Sequence, residues 1–398
     1  MRRRLATLAA AACLAASCGG PAYTHSAGAP SGAPATEPPP GTPPASIPAG
    51  ACRLSNPASV TAPASLAQYS GQVAGVTDRG ELLVLQSHLP GVGDTVSILD
   101  PAAGVVTPVV SRTPPASADD ATSQIAASIT GDADWVVWEE VGFYLEQADW
   151  HMWAFDRRTG EVREVASYDP GPGGKIAPGW ASDVSLLGDL AAWAAPVVLG
   201  PDTFGSRIYM ADLRARTVRR LDLEANYPSL LSAVELGAAM RTVVTDPATG
   251  DGLAQPVAIS LPDGAATPED WVAPARLLAG AASRAGTVVV RLLKNSTAED
   301  PTVDADVVAR YPTGQTRTFG LPGRWGPVGA GPGFLAWSDY SHLWVQPSGQ
   351  TEPTMLLDAG PDAVRFFVNG SYVFWHTDRA SARQYDWTAG GLARVVCP

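Results

Sequence analysis

Short apolar runs, each opened by a glycine and several closed by a tryptophan, recur along the chain. They are Gly80 to Leu85, Gly131 to Trp138, Gly188 to Trp193, Gly237 to Val244, Gly286 to Val290, Gly333 to Trp337 and Gly370 to Trp375. Runs this short, rich in Val, Leu and Trp and bounded by turn residues, predict strands and not helices. Successive glycines stand about 48 residues apart on average, which is the period of blade-type repeats.

A second register follows each run: another short strand that ends in a tight-turn signal. Ile98 to Asp100 leads into Gly104, Trp153 to Asp156 into Gly160, Ile259 to Leu261 into Gly264, Val307 to Ala309 into Gly314, Leu343 to Val345 into Gly349, and Tyr385 to Trp387 into Gly390. Ile208 to Asp212 is the exception, with Arg216 where glycine is expected. Such turns mark hairpins. An alternating strand comes after each turn, as in Glu161 to Ala166 and Thr217 to Leu221, and a small or apolar segment precedes each glycine, as in Val184 to Leu187. Every unit therefore reads as four short antiparallel strands.

The repeat wording of Gly131 to Trp138 with Trp153 to Val165, and of Gly188 to Trp193 with Ile208 to Leu221, resembles the TolB-type propeller repeat. The resemblance implies the fold and leaves activity open. The expected class is all-β, a β-propeller of seven four-stranded blades with six or eight as alternatives, its termini closed by a disulfide. A solenoid or a pair of β-sandwiches would give similar strands and turns. Four-stranded sheets repeated in a circle leave only short protected edges. A ring also brings its two ends together, and Cys52 and Cys397 lie at the two ends of the folded region. Cysteines so placed in an exported protein are expected to pair.

Three other segments precede or flank this region. Arg2, Arg3 and Arg4 open the chain and an uncharged run from Leu5 to Ala16 follows, the pattern of a secretory signal. The run is about a dozen residues, short of the roughly 20 that a membrane-crossing helix needs. Leu14 to Cys18 resembles the lipobox of bacterial lipoproteins, with the departure that Ala15 stands where Leu is usual. That resemblance implies cleavage before Cys18 and lipid on its sulfur. Gly19 to Gly50 is dominated by Pro, Ala, Gly, Ser and Thr, a composition that favours an extended tether over a packed core. The expected division is 1–17 signal, 18–50 tether and 51–398 propeller, with the chain lipid-anchored on the extracytoplasmic face of the cell membrane.

The formal charge of -12 becomes -15 once Arg2, Arg3 and Arg4 leave with the signal. So acidic a chain is not expected to bind nucleic acid, which attracts basic surface. Metalloprotease, nucleophile-elbow, CxxC and phosphate-loop signatures are all missing: Gly174-Lys175 is followed by Ile176, not Ser or Thr. No cofactor or metal is expected. Asp132 with Asp134, and Asp246 with Asp251 and Gly252, could offer calcium oxygens but read better as turn residues. Trp138, Trp193, Trp337 and Trp375 read as packing between blades.

Loops on a rigid scaffold are where binding usually sits. The loops after each glycine-opened strand share one face of a propeller, and their polar residues give the candidate binding site: Glu139, Glu140, Asp339, Tyr340, His376 and Asp378. Two functions compete. One is a non-enzymatic binding or scaffolding module for an envelope protein or glycan. The other is an extracellular hydrolase or lyase whose carboxylates work beside His376, which requires the loops to converge.

Overall fold

The computed structural model describes residues 52–397 except 64–69, 88–94, 110–124, 142–149, 169–183, 201–202, 226–229, 237–238, 246–253, 261–265, 274, 276, 294–304, 322–325, 340, 349, 351, 359–365 and 377–388. The described residues form strands and turns. No helix among them is long and apolar enough to cross a membrane.

After β1 (Arg53–Thr61), the chain builds sheets from consecutive strands. The first contains β2 (Ser70–Val76), β3 (Leu82–Ser87), β4 (Thr95–Asp100) and β5 (Val105–Val109). The second contains β6 (Ile125–Gly131), β7 (Trp135–Val141), β8 (Trp150–Asp156) and β9 (Glu161–Ser167). The third contains β10 (Ser185–Leu187), β11 (Leu190–Gly200), β12 (Thr203–Asp212) and β13 (Thr217–Ala225). The fourth contains β14 (Leu230–Leu236), β15 (Ala239–Thr245), β16 (Ala254–Ser260) and β17 (Ala266–Pro268). The fifth contains β18 (Leu277–Ser283), β19 (Gly286–Leu292), β20 (Ala305–Arg310) and β21 (Thr316–Leu321). The sixth contains β22 (Val328–Gly331), β23 (Phe334–Ser338), β24 (His342–Pro347) and β25 (Thr354–Asp358). The last is made by β26 (Phe366–Asn369), β27 (Tyr372–His376) and β28 (Ala389–Val396), and its fourth strand is β1 from the other end of the chain.

Where their side chains are described, the sheets are hydrophobic on the sides that lie against a neighbouring sheet. Val136 and Trp138 pack with Leu83 and Ile98 of the first sheet, while Trp135, Val137 and Trp150 pack with Trp193 and Tyr209 of the third. Val288 and Val290 meet Leu335 and Trp337, and Phe334 and Leu343 meet Phe366 and Trp375. Val60 and Phe374 of the last sheet close on Val73, Leu82 and Leu99 of the first. The fold is a β-propeller of four-stranded blades. The tryptophans that end the glycine-opened strands are all but fully buried at these seams, as the sequence suggests.

The turns between third and fourth strands explain why the third strand so often ends in Asp. Asp100 Oδ1 accepts the N–H groups of Ala102 and Ala103, and Asp156 Oδ1 those of Arg158 and Thr159. Gly104, Gly160 and Gly314 then take positive φ, and Arg216 takes the same conformation at φ 58. A side chain there is strained by roughly 1–2 kcal/mol. The Arg216 guanidinium pairs with Glu161 of the adjacent blade at 2.7 Å, but both side chains are more than a third exposed, so the pair offsets little of this. Arg216→Gly is therefore expected to be as stable as the parent or up to about 1 kcal/mol more so, and Arg216→Val less stable by about 1–2 kcal/mol. Urea midpoints decide it. A glycine variant weaker by more than 1 kcal/mol would mean that the ion pair outweighs the strain.

The last blade departs from the sequence reading. Gly390 is not a turn residue: it lies inside β28, paired with His376, and the fourth strand is supplied by β1 in the register Arg53↔Val396 to Thr61↔Ala389. Residues 385–387, read from sequence as a strand, lie outside the described residues. Cys52 and Cys397 form a disulfide with a Cα–Cα distance of 4.1 Å. It stands where the third strand leads into the fourth in the other blades.

Candidate functional site

In each blade the second strand runs from the glycine turn to one edge, and the candidate residues sit at its far end. The opposite edge is committed to internal bonds. Arg157 donates to both Glu81 oxygens at 2.6 and 2.7 Å and to the Asp132 carbonyl at 2.7 Å, joining the first two blades. Trp135 Nε1 donates to Asp189, which also holds Arg214. Asn369 Nδ2 donates to the Gly131 carbonyl, tying the last blade to the second.

Asp132 belongs to this edge. Its carboxylate accepts the N–H groups of Asp134 and Trp135 at 2.9 Å each, so it caps a turn. Burial, assisted by the charges of Asp78 and Asp134, holds its carboxyl above the ordinary range despite those bonds. A raised folded-state value means the protonated form is favoured on folding, and that contribution is lost as pH rises through the raised value. Asn retains the acceptor without the charge. Asp132→Asn is expected to be more stable than the parent at pH 7, with the difference shrinking as the pH falls toward 4, measured by urea unfolding at both values. An equal or larger gain at pH 4 would refute this.

At the candidate edge, Glu139 and Glu140 are the residues before the last of β7 and are 0% and 2% exposed. Neighbours on a strand point to opposite faces. Glu140 lies on the Trp138 side, facing the first blade, and accepts Trp138 Nε1 at 2.8 Å. Glu139 lies on the Val137 and Val141 side, facing the third blade. The two therefore do not form a carboxylate pair. His376 ends β27 on the Phe374 side, facing the first blade, with its ring edge-on to Phe374 and Phe367 at 5.1 and 6.0 Å. Glu139 and His376 face different blades. Tyr340, Asp378 and Cys18 lie outside the described residues.

Asp339 is the candidate around which a cluster is assembled. It occupies the turn between β23 and β24 and accepts the N–H groups of Ser341 and His342 at 2.9 and 2.7 Å. Its oxygens lie 2.9 and 3.1 Å from His342 Nδ1, and Trp344 Nε1 donates to it at 3.4 Å. Burial alone would raise this carboxyl, but the bonds from the His342 ring and from the two backbone N–H groups outweigh it and hold the group below the ordinary range. His342 is absent from the sequence-based candidates. The signal for it was Asp339 and His342 at positions i and i+3 across a short turn, a spacing that brings a side chain back over its own turn. Among the described residues no group of three His, Cys, Asp or Glu could hold a metal ion.

No protein-family model matches the sequence, and no curated protein matches it. Solved structures do. An oligogalacturonate lyase in complex with manganese matches at 12% identity and TM-score 0.51, over 87% of this chain and 98% of that one. An acylaminoacyl peptidase in complex with Z-Gly-Gly-Phe-chloromethyl ketone matches at 9% identity and TM-score 0.54, over 84% of this chain and 53% of that one. TolB from Acinetobacter baumannii matches at 16% identity and TM-score 0.38, over 66% of this chain and 62% of that one. The chain spans about half the length of the peptidase and 36% of the tricorn protease it also matches. Likeness at these identities shows a shared propeller fold.

Proposed function

We propose that this chain is a lipid-anchored, extracytoplasmic propeller that binds an envelope protein or glycan through the edge where second strands lead into third. The seven four-stranded sheets are read as seven blades of one ring, closed by β1 and the disulfide. The observation that carries the binding face is the Asp339–His342 cluster, which is assembled and partly exposed on that edge. On the opposite edge Arg157 with Glu81, and Trp135 with Asp189, make bonds between blades. The hydrolase or lyase alternative needs carboxylates beside His376, and Glu139 faces a different blade from His376.

Capture from envelope extracts tests the face: Asp339→Lys should lose the partners that the parent retains, and unchanged recovery would remove the site from this edge. For the anchor, Cys18→Ala should abolish incorporation of a labelled fatty acid and move the protein from the membrane to the soluble fraction. Persistent labelling would overturn the assignment of Cys18.

A further inference from the structure

β1 carries one residue too many for its partner strand. Ser55 stands opposite Arg394 and Ala58 opposite Leu392, so Asn56 and Pro57 together face Ala393 alone. Asn56 takes φ 52, in the left-handed region that side chains seldom adopt, and does so immediately before a proline. A bulge re-aims the side chains around it, and both bulges and strained residues gather at functional sites. A cavity of about 180 Å³ opens at this bulge, bordered by Ser55, Asn56 and Ala58 of β1, Tyr372 of β27, and Leu392 and Arg394 of β28. One water needs only roughly 10–15 Å³, so a small organic group has room.

Arg394 is the centre of a row across three strands, paired with Ser55 on one side and with Tyr372 on the other. Directly opposed residues share a face of the sheet, with Cβ atoms roughly 5 Å apart. Tyr372 and Leu392 pack on the seam with the first blade, so the row faces that seam. Among the described residues the Arg394 guanidinium makes no hydrogen bond or ion pair, and the Ser55 and Tyr372 hydroxyls make no hydrogen bond. Acidic residues outnumber Lys and Arg 39 to 27, and Arg157, Arg214 and Arg291 each hold a carboxylate of the chain. Arg394 holds none.

A guanidinium fork flanked by two hydroxyls presents converging donors, the complement of an oxyanion. Two features narrow the class. A single cation balances one negative charge, and the net charge of -12 opposes a second, which favours a carboxylate over a phosphate dianion. Ala58 and Leu392 give the cavity an apolar wall, so the charged group would bring a hydrocarbon part with it.

We propose that Arg394, Ser55 and Tyr372 form a binding site for an organic monocarboxylate, carried by a small free acid or by the glutamate side chain of a peptide. The site opens at the start of β27, beside the Gly370 turn and away from the edge of Asp339, so it goes beyond the contact face proposed above.

The test is fluorine NMR on the full-length protein labelled with fluorotyrosine, which gives ten reporters, with Tyr372 assigned by its loss in Tyr372→Phe. Titrations run at low ionic strength, where a partly exposed pair is least screened. The probes are propionate, acetyl-Gly-Glu-Gly-amide, propionamide and inorganic phosphate. The expected result is a saturable shift of Tyr372 with propionate or the peptide, none with propionamide, and weaker binding of phosphate. Tyr209, buried in the seam of the second and third blades, should not move. Arg394→Gln should raise the dissociation constant about fivefold or more, and Arg394→Lys, which keeps the charge without the fork, should fall between it and the parent. An unchanged Tyr209 resonance in both variants reports an intact fold. A response to propionate alone assigns the free acid, a response to the peptide alone assigns the side chain, and a response to both supports the shared carboxylate chemistry. No response to either, an equal response to propionamide, phosphate binding as tight as propionate, or undiminished binding by Arg394→Gln overturns the proposal. Loss of the partners captured through Asp339 would leave this site standing, so the two readings fall separately.

Discussion

Gly286→Ala is expected to destabilise the propeller by about 3 kcal/mol or more, far beyond an ordinary glycine substitution. Gly286 opens β19 at φ 136, a conformation that side chains rarely adopt. An added Cβ would run into the Arg310 carbonyl oxygen and stand 3.1 Å from the Arg310 carbonyl carbon and 3.2 Å from Tyr311 Cα. These are backbone atoms at the end of β20, the partner of β19, and they cannot rotate away. Gly314 is the control. It also has positive φ, at 82, but an added Cβ meets nothing within 4 Å. Gly314→Ala should therefore lose only the conformational part, about 1 kcal/mol. Urea unfolding of both variants separates the steric from the conformational contribution, and similar losses for the two would refute the steric argument.

The sequence exposed most of the ring and little of the site, for reasons that can be traced to particular residues. A second strand buried on both sides needs an unbroken apolar run, so β7, β11, β19 and β23 are visible as text. The strand that completes the last blade is not. β1 reads Arg-Leu-Ser-Asn-Pro-Ala-Ser-Val-Thr, is largely exposed, and carries a register shift between Ser55 and Ala58 with Asn56 at φ 52. Asn-Pro in a polar stretch reads as a turn. Its pairing comes from β28, more than 300 residues away, through contacts that no local pattern encodes.

Side-chain neighbours are harder to read from sequence, for a different reason. Glu139 and Glu140 look like a paired acid in sequence, yet strand alternation sends them to different blades. Neighbouring letters in a strand are poor evidence for neighbouring side chains. Asp339 and His342 stand three residues apart, and the turn between β23 and β24 folds one back onto the other. Asp358 comes within 3.9 Å of the His342 ring through the register of β24 and β25, which carries a register shift between Leu343 and Trp344. The chemistry thus depends on turn geometry and register, whereas the fold depends on hydrophobic period.

Replacing both Cys52 and Cys397 by serine is expected to remove about 2–5 kcal/mol of stability. The bond spans 345 residues in sequence. In the other blades the third and fourth strands follow one another in the chain. In the last blade they come from opposite ends of the described chain, and the disulfide is the covalent link between them. Its loss should therefore act locally before it acts globally. β1 would be held only by its ladder to β28 and by the packing of Val60 in the seam with the first blade. When β1 opens, β28 becomes an unprotected edge and the ring loses the strand that closes it. Hydrogen exchange should thus accelerate first at 53–61 and 389–396 in the double variant, with β7 and β23 unchanged until global unfolding. In the parent, a thiol assay on the denatured, unreduced protein should find Cys52 and Cys397 unreactive. Equal exchange across all blades would show that the packing of β1, and not the bond, holds the ring shut.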